Sequence, residues 1–144
     1  MSLYNIFAIA GSGMSAQSVR LNTVASNLAN ANDVAGSEKD AYRAREPVFK
    51  AALENARQGG GSVSNQAAVG VEVTAVQQSQ APVRKEYQPG NPQADKNGYV
   101  YTSNVNTAEQ MANMISASRS YQSNVNVVST THQLLLNTLQ LANK

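Results

Sequence analysis

The chain has 144 residues, of which 42% are apolar and only 14% are charged. Its net charge of +2 gives no support to nucleic acid or an anionic membrane as a partner. Cysteine is absent, which excludes disulfides, cysteine-ligated metals and a cysteine nucleophile.

The few charged residues are distributed unevenly and divide the chain into three segments. Residues 1–32 contain one charged residue, Arg20, and residues 106–144 contain three, whereas residues 33–105 contain sixteen. We therefore predict an N-terminal helix within 1–32, a central domain over 33–105 and a C-terminal helix within 106–144.

The first segment predicts a helix because its apolar residues recur at alternating spacings of four and three. This stripe, which only Gln17 interrupts, consists of Leu3, Phe7, Ala10, Met14, Leu21, Val24, Leu28 and Ala31. Gly11 and Gly13 lie within the pattern and cost about 1 kcal/mol each relative to alanine. Close approach of another backbone would offset that loss, so we expect a packed neighbour there.

The central segment alternates apolar and polar residues in short runs bounded by turn residues. The predicted strands cover Val69–Thr74, Pro82–Tyr87 and Gly98–Tyr101, and Tyr42–Lys50 is a candidate edge strand because it contains Pro47. A short helical turn over 51–58 and a mobile glycine-rich loop near 59–68 complete the segment.

The last segment predicts a second helix, for which Asn106 is the expected N-cap and Glu109 a favourable first-turn residue. Its stripe is Met111, Met114, Tyr121, Val125, Val128, Leu135, Leu139 and Ala142, with Ser118 and His132 as interruptions. The predicted fold class is therefore α+β. Long N- and C-terminal helices form an antiparallel coiled-coil-like hairpin beside a small β-rich central domain.

No pattern in the sequence predicts catalysis. His132 is the only histidine, and no acidic residue lies closer in sequence than Glu109, so a seam or interface role is favoured. The glycines at 11 and 13 lack a dinucleotide-loop context, and no Gly-x-Ser-x-Gly motif occurs. We predict no catalytic, cofactor-binding or metal-binding residue, and a periplasmic hydrolase is the distant alternative.

Association is the favoured role, because positions off both stripes carry Ser, Asn, Thr and Gln where a solvated helix carries Lys, Glu and Arg. Neutral polar groups are buried at modest cost when hydrogen-bonded, so neighbouring chains are expected around these helices. A two-helix stem that is simply poor in charge is the alternative. The predicted helix seam is Leu21, Val24, Leu28, Val125, Val128, Leu135 and Leu139. The predicted inter-subunit contacts are Asn27, Asn30, Arg119 and Asn124.

The motif SNLANAN at 26–32 resembles the N-terminal signature shared by flagellar rod and hook proteins. Four further motifs resemble, more specifically, the proximal rod proteins of the bacterial flagellum, the FlgC family. They are YRAREPVF at 42–49, PGNPQAD at 89–95, NGYV at 97–100 and MISASRSYQSN at 114–124. The resemblance runs nearly end to end. Ser103 stands where the family usually has proline.

The resemblance implies a structural subunit of the basal-body rod in the periplasmic space. Such subunits leave the cell through the flagellar type III export apparatus without a cleaved signal peptide, as the lack of a basic residue before Arg20 also suggests. They polymerise with other rod proteins and with copies of themselves, without nucleic acid or direct membrane insertion. Another axial rod or hook-family adaptor subunit is the alternative.

Overall fold

The computed structural model describes residues 3–52 and 70–142. Its helices and strands are, in chain order, α1 (Leu3–Ala29), β1 (Val34–Ala35), β2 (Arg45–Ala51), β3 (Val71–Gln78), β4 (Arg84–Tyr87), β5 (Tyr99–Thr102) and α2 (Thr107–Ala142). Two long helices and a small set of central antiparallel strands confirm the α+β class. Of the helical turn predicted over 51–58, Ala51 instead ends β2. The rest of that turn beyond Ala52, and the predicted loop near 59–68, lie outside the described residues.

The two helices pack against each other in an antiparallel arrangement. Arg20 Nη2 donates to Asn113 Oδ1 at 2.7 Å, and Asn27 Nδ2 donates to Gln110 Oε1 at 3.0 Å, so later residues of α1 meet earlier residues of α2. The N-cap of α2 is confirmed. Asn106 Oδ1 accepts hydrogen bonds from the amides of Ala108 and Glu109, which have no partner inside the first helical turn.

β5 is the central strand of a three-stranded antiparallel sheet, with β1 on one side and β4 on the other. Val34 pairs with Thr102 on one edge, and Tyr87 pairs with Tyr99 on the other. β1 has only two residues, so no alternation of apolar and polar residues could predict it. β2 and β3 form a separate two-stranded sheet.

The chain divides into two units. The first comprises residues 1–19, 48–75 and 117–144, and the second comprises 20–47 and 76–116. The core of the second unit contains Ala31, Ala44 and Val105, against which Tyr42 packs. The first unit buries small residues, namely Ala10, Ala16, Ala117 and Thr131. Small side chains at a helix contact permit close approach, and they leave the larger apolar side chains elsewhere on the helix surface.

Candidate assembly surface

Asn27 is the centre of a hydrogen-bond network in the second unit, where its side chain is only 1% exposed. Its Nδ2 donates to the carbonyl of Arg45 at 2.8 Å, and the amide of Arg45 donates to its Oδ1 at 2.8 Å. The side-chain amide thus pairs with the backbone of Arg45 in the way that a neighbouring strand would. The same Nδ2 donates to Gln110 Oε1, and Tyr42 Oη donates to Oδ1 at 3.0 Å.

This network joins three parts of the second unit through one side chain: α1, the start of β2 and the first turns of α2. Buried amides cost free energy when they lack partners, and every donor and acceptor used here is paired. Asn27 was predicted to contact another subunit. That role stays a prediction, and this geometry gives it no support because the amide group is occupied within the chain.

The chain segment before α2 is held by buried polar groups. The side chain of Asn104 accepts from the amide of Ala44 at 2.7 Å and donates to the carbonyl of Ala81 at 2.8 Å. Ser103 is fully buried, its hydroxyl oxygen accepts from the amide of Val105 at 3.1 Å, and its own amide donates to the carbonyl of Asp33. A proline at 103 could form neither of the bonds made by Ser103.

In the first unit, Gly13 and Asn124 mark a point of close approach between the helices. A Cβ built on Gly13 would lie 2.8 Å from Asn124 Nδ2, so a larger residue would displace that amide. The neighbouring Ser12 hydroxyl donates to the carbonyl of Ile9 and accepts from the amide of Val71 at 3.1 Å. The close neighbour expected beside this glycine is therefore present, although it is a side chain and not a backbone.

The C-terminal part of α2 carries large apolar side chains that are about half exposed. Leu134, Leu136 and Leu139 are 53%, 46% and 54% exposed. The buried and half-buried residues that define the inner face of α2 are Asn124, Val128, Thr131 and Leu135. The exposed leucines lie on both flanks of that inner face, as the 100° rotation per residue of a helix requires.

The predicted seam residues occupy different environments. In the second unit Val24 is buried, and Leu21 and Leu28 are half-buried. In the first unit Val128 and Leu135 are half-buried on the inner face, whereas Val125 is 41% exposed and Leu139 is 54% exposed. The seam position predicted for these last two stays a prediction, and their exposure gives it no support.

The remaining predicted inter-subunit residues have different surroundings. Asn30 Nδ2 donates to the carbonyl of Ser26 at 2.7 Å at the end of α1. Asn124 packs against Gly13 inside the hairpin, and Arg119 is exposed on α2. Of the predicted contacts, Arg119 therefore presents the most open side chain to a neighbour.

Asp95 organises the turn between β4 and β5 and was not singled out by its sequence context. Its Oδ1 accepts from the amides of Asn97 and Tyr99 at 2.8 and 2.9 Å. The bond from the Tyr99 amide, together with that from Asn97 and the positive charge of Lys85, holds the pKa of this carboxyl below its ordinary value of 3.8. Gly98 follows with a φ of +80°, which favours glycine.

The described residues show no arrangement suited to metal chemistry or membrane crossing. Within 3–52 and 70–142, His, Asp and Glu side chains form no group of three that could hold a metal ion. No helix in that part of the chain is both long and apolar enough to cross a membrane. His132 lies exposed on α2.

Two family models match the ends of the chain. The model described as "Flagella basal body rod protein" matches residues 7–36. The model described as "Flagellar basal body rod FlgEFG protein C-terminal" matches residues 96–141. These ranges contain most of α1 and nearly all of α2.

Curated proteins match along almost the whole length. The chain is 48% identical over 141 residues to the flagellar basal-body rod protein FlgC of Salmonella typhimurium, with 98% of each protein covered. It is 50% identical over 141 residues to that of Yersinia enterocolitica, with the same coverage. The FlgC of Borreliella burgdorferi is 29% identical over 149 residues, again with 98% of each covered.

Proposed function

Because the chain belongs to the FlgC family of flagellar basal-body rod proteins, we propose that it polymerises with other rod subunits and with copies of itself. The product is part of the drive shaft that transmits torque to the hook. The chain acts as a structural subunit, and the proposal includes no catalytic step.

The observation that carries this proposal is the surface of the helices. From Ser120 to Asn143 the chain has no charged residue, yet Leu134, Leu136 and Leu139 are about half exposed. Fully burying an exposed leucine side chain is worth roughly 1.5–3 kcal/mol, so covering the exposed half of each of these is worth about half of that. A helix with this surface is stabilised by neighbouring helices more than by solvent.

Torque transmission requires that lateral contacts resist shear. We propose that Val125, Leu139 and Arg119 contact neighbouring subunits, because they are exposed in the single chain. Val24, Val128 and Leu135 hold the two helices of one chain together, which fixes the geometry of the outer surface. An unpaired charge at either kind of position would be costly once the contact is dry.

The cellular route follows from the family. We propose that the chain leaves the cytoplasm through the flagellar type III export apparatus and assembles in the rod within the periplasmic space. Passage through a narrow channel requires little stable structure, and uncharged helices are weak in isolation. We therefore expect the folded monomer to have only modest stability, so that it unfolds readily for export; thermal unfolding followed by circular dichroism would report this.

A second axial role is favoured by one observation. The family model over residues 96–141 carries the description of FlgE, FlgF and FlgG proteins, so the C-terminal helix is similar to those of other axial proteins. A different rod position or a hook-family adaptor role is the corresponding alternative. Labelling of this chain in purified basal bodies, with its distance from the membrane ring measured, distinguishes the proximal rod from these other axial positions.

The test is electron microscopy of basal bodies from cells that lack the gene for this chain, scored together with swimming. We expect membrane rings without a complete rod, no motility, and recovery of both when the chain is supplied again. Complete basal bodies and normal swimming in the deletion strain would contradict the proposal.

A further inference from the structure

One flank of α2 in the first unit presents a row of partly exposed side chains, most of them apolar. Val125, Leu136 and Leu139 are 41%, 46% and 54% exposed. Ser129 and His132, also exposed, complete a continuous spacing of four and three. We name this row the leucine flank; its residues are Val125, Ser129, His132, Leu136 and Leu139. A sustained spacing of this kind matches a second helix lying along it.

The surface on the other side of this contact is constrained by charge. The leucine flank and the residues around it, from Ser120 to Asn143, carry no charged side chain. A charged surface docked here would leave its charges desolvated and unpaired, which is strongly unfavourable. The occupant is therefore an uncharged helix, and its side chains must be small if leucines are to pack closely between them.

The first unit offers such a surface on the outer side of α1. Ala8, Ser15 and Ser18 are exposed, and Gly11 lies between them at the same alternating spacing. We name these four residues the small face. No residue in it is charged, and residues 3–19 contain no charge at all.

The two glycines of α1 differ in what packs against them among the described residues. A Cβ on Gly13 would meet Asn124, so the hairpin itself accounts for that glycine. A Cβ on Gly11 would find no other described atom within 4 Å, apart from its own helical backbone and chain neighbours. Glycine is less favourable than alanine inside a helix, so Gly11 has a cost that the described chain does not offset.

We propose that the leucine flank of one copy packs on the small face of α1 in a second copy of this chain. The inference rests on the proposed function and names the contact between copies within the rod. It joins two different surfaces of the same molecule. A contact of that type leaves one free surface at each end and can repeat from copy to copy.

The size of the contact predicts its behaviour in solution. The leucine flank covers about 21 Å of helix at 1.5 Å per residue. A single row of that length falls short of the roughly 1,200–2,000 Å² buried in stable, specific complexes. The copies should therefore stay monomeric when dilute and associate only where the growing rod holds them together.

Disulfide trapping tests the contact directly, because the natural chain has no cysteine. Two differently tagged full-length copies are produced in the same cells. One carries Ser15→Cys, and the other carries one substitution from the panel Val125→Cys, His132→Cys, Leu136→Cys and Leu139→Cys. Matched controls are Thr130→Cys and Asn137→Cys, which are exposed on the polar side of α2 away from the leucine flank. Basal bodies are purified, oxidised mildly and probed for a dimer that contains both tags.

We expect a mixed dimer with one or two neighbouring members of the panel, several-fold above the yield with either control. If both copies are present in basal bodies but no mixed dimer forms, the inference is overturned, whereas the proposed function stays intact. A disulfide between the Ser15→Cys copy and a cysteine placed in another rod protein, without a mixed dimer, would likewise overturn it and name a different occupant. Absence of both copies from basal bodies would instead contradict the proposed function.

Gly11→Ala supplies an independent readout. Because no described atom lies near the added methyl group, the helicity of the dilute monomer should be unchanged or higher. If a leucine of another copy packs there, rod assembly and swimming should fall. Full swimming with Gly11→Leu, a much larger side chain, would overturn the inference.

Discussion

Asn27 Nδ2 donates a hydrogen bond to Gln110 Oε1 at 3.0 Å, across 83 residues of sequence. Both side chains are buried, at 1% and 7% exposure. Because Asn27 also pairs with both backbone groups of Arg45, one amide fixes the register of α1 against α2 and against β2 together. The second unit therefore depends on a polar junction as well as on its small apolar core.

Replacing this junction should destabilise the protein strongly. Asn27→Ala leaves the backbone groups of Arg45 and the side-chain oxygen of Gln110 without their partner, so we expect a loss of about 2–4 kcal/mol in the free energy of unfolding. Urea denaturation followed by tyrosine fluorescence measures it. Asn22→Ala, on the exposed side of the same helix, is the matched control. Equal stability of the two variants would contradict the role given to Asn27.

The sequence predicted α1 better than α2, and the reason is physical. On α1 the residues of the predicted stripe from Phe7 onward are buried or half-buried, because most of the larger apolar residues occupy one side. On α2 large apolar residues occur on several sides, so periodicity cannot identify which side meets α1. The inner face contains Asn124 and Thr131, whose small size permits close approach of the helices.

The polar junction could not be predicted from periodicity at all. Asn27 lies in a recognisable motif, but its partners Arg45 and Gln110 are distant in sequence and have no spacing in common with it. The turn at Asp95 was also missed, because an aspartate between turn residues is common and its two amide donors are visible only once the backbone is folded. Local patterns thus predicted the helices and strands, whereas hydrogen bonds between residues distant in sequence are seen only in the folded structure.

Gly13 and Asn124 should show energetic coupling. Alanine at a helix interior position is about 1 kcal/mol more favourable than glycine. In the natural chain that gain is opposed, because the new methyl group displaces the Asn124 amide. In an Asn124→Ala background the full gain should appear. A double-mutant cycle on the free energy of unfolding measures the difference. An equal effect of Gly13→Ala in both backgrounds would show that the close approach has no energetic consequence.

The turn at Asp95 should make stability depend on pH in the acidic range. The amides of Tyr99 and Asn97 hold the pKa of the folded carboxyl below 3.8, so its ionised form stabilises the fold above that pH. The contribution is lost as the pH falls from about 4 through the lowered pKa. Asp95→Asn should be less stable near neutral pH and should lose less stability on acidification. Glu72→Gln, on the exposed strand β3, is the control, and identical acid profiles for Asp95→Asn and the natural chain would refute the assignment.

The two helices should tolerate a change of shape better than a new charge. Leu28 and Val128 are half-buried on α1 and α2, and aspartate at either position would place an unpaired charge in a contact that becomes dry on assembly. We expect Leu28→Asp and Val128→Asp each to abolish swimming, whereas Leu28→Met and Val128→Ile, which keep the apolar character, should swim nearly normally. Motility in soft agar and the amount of chain in purified basal bodies are measured together. Normal swimming of either aspartate variant at a normal protein level would show that the position does not lie in a dry contact.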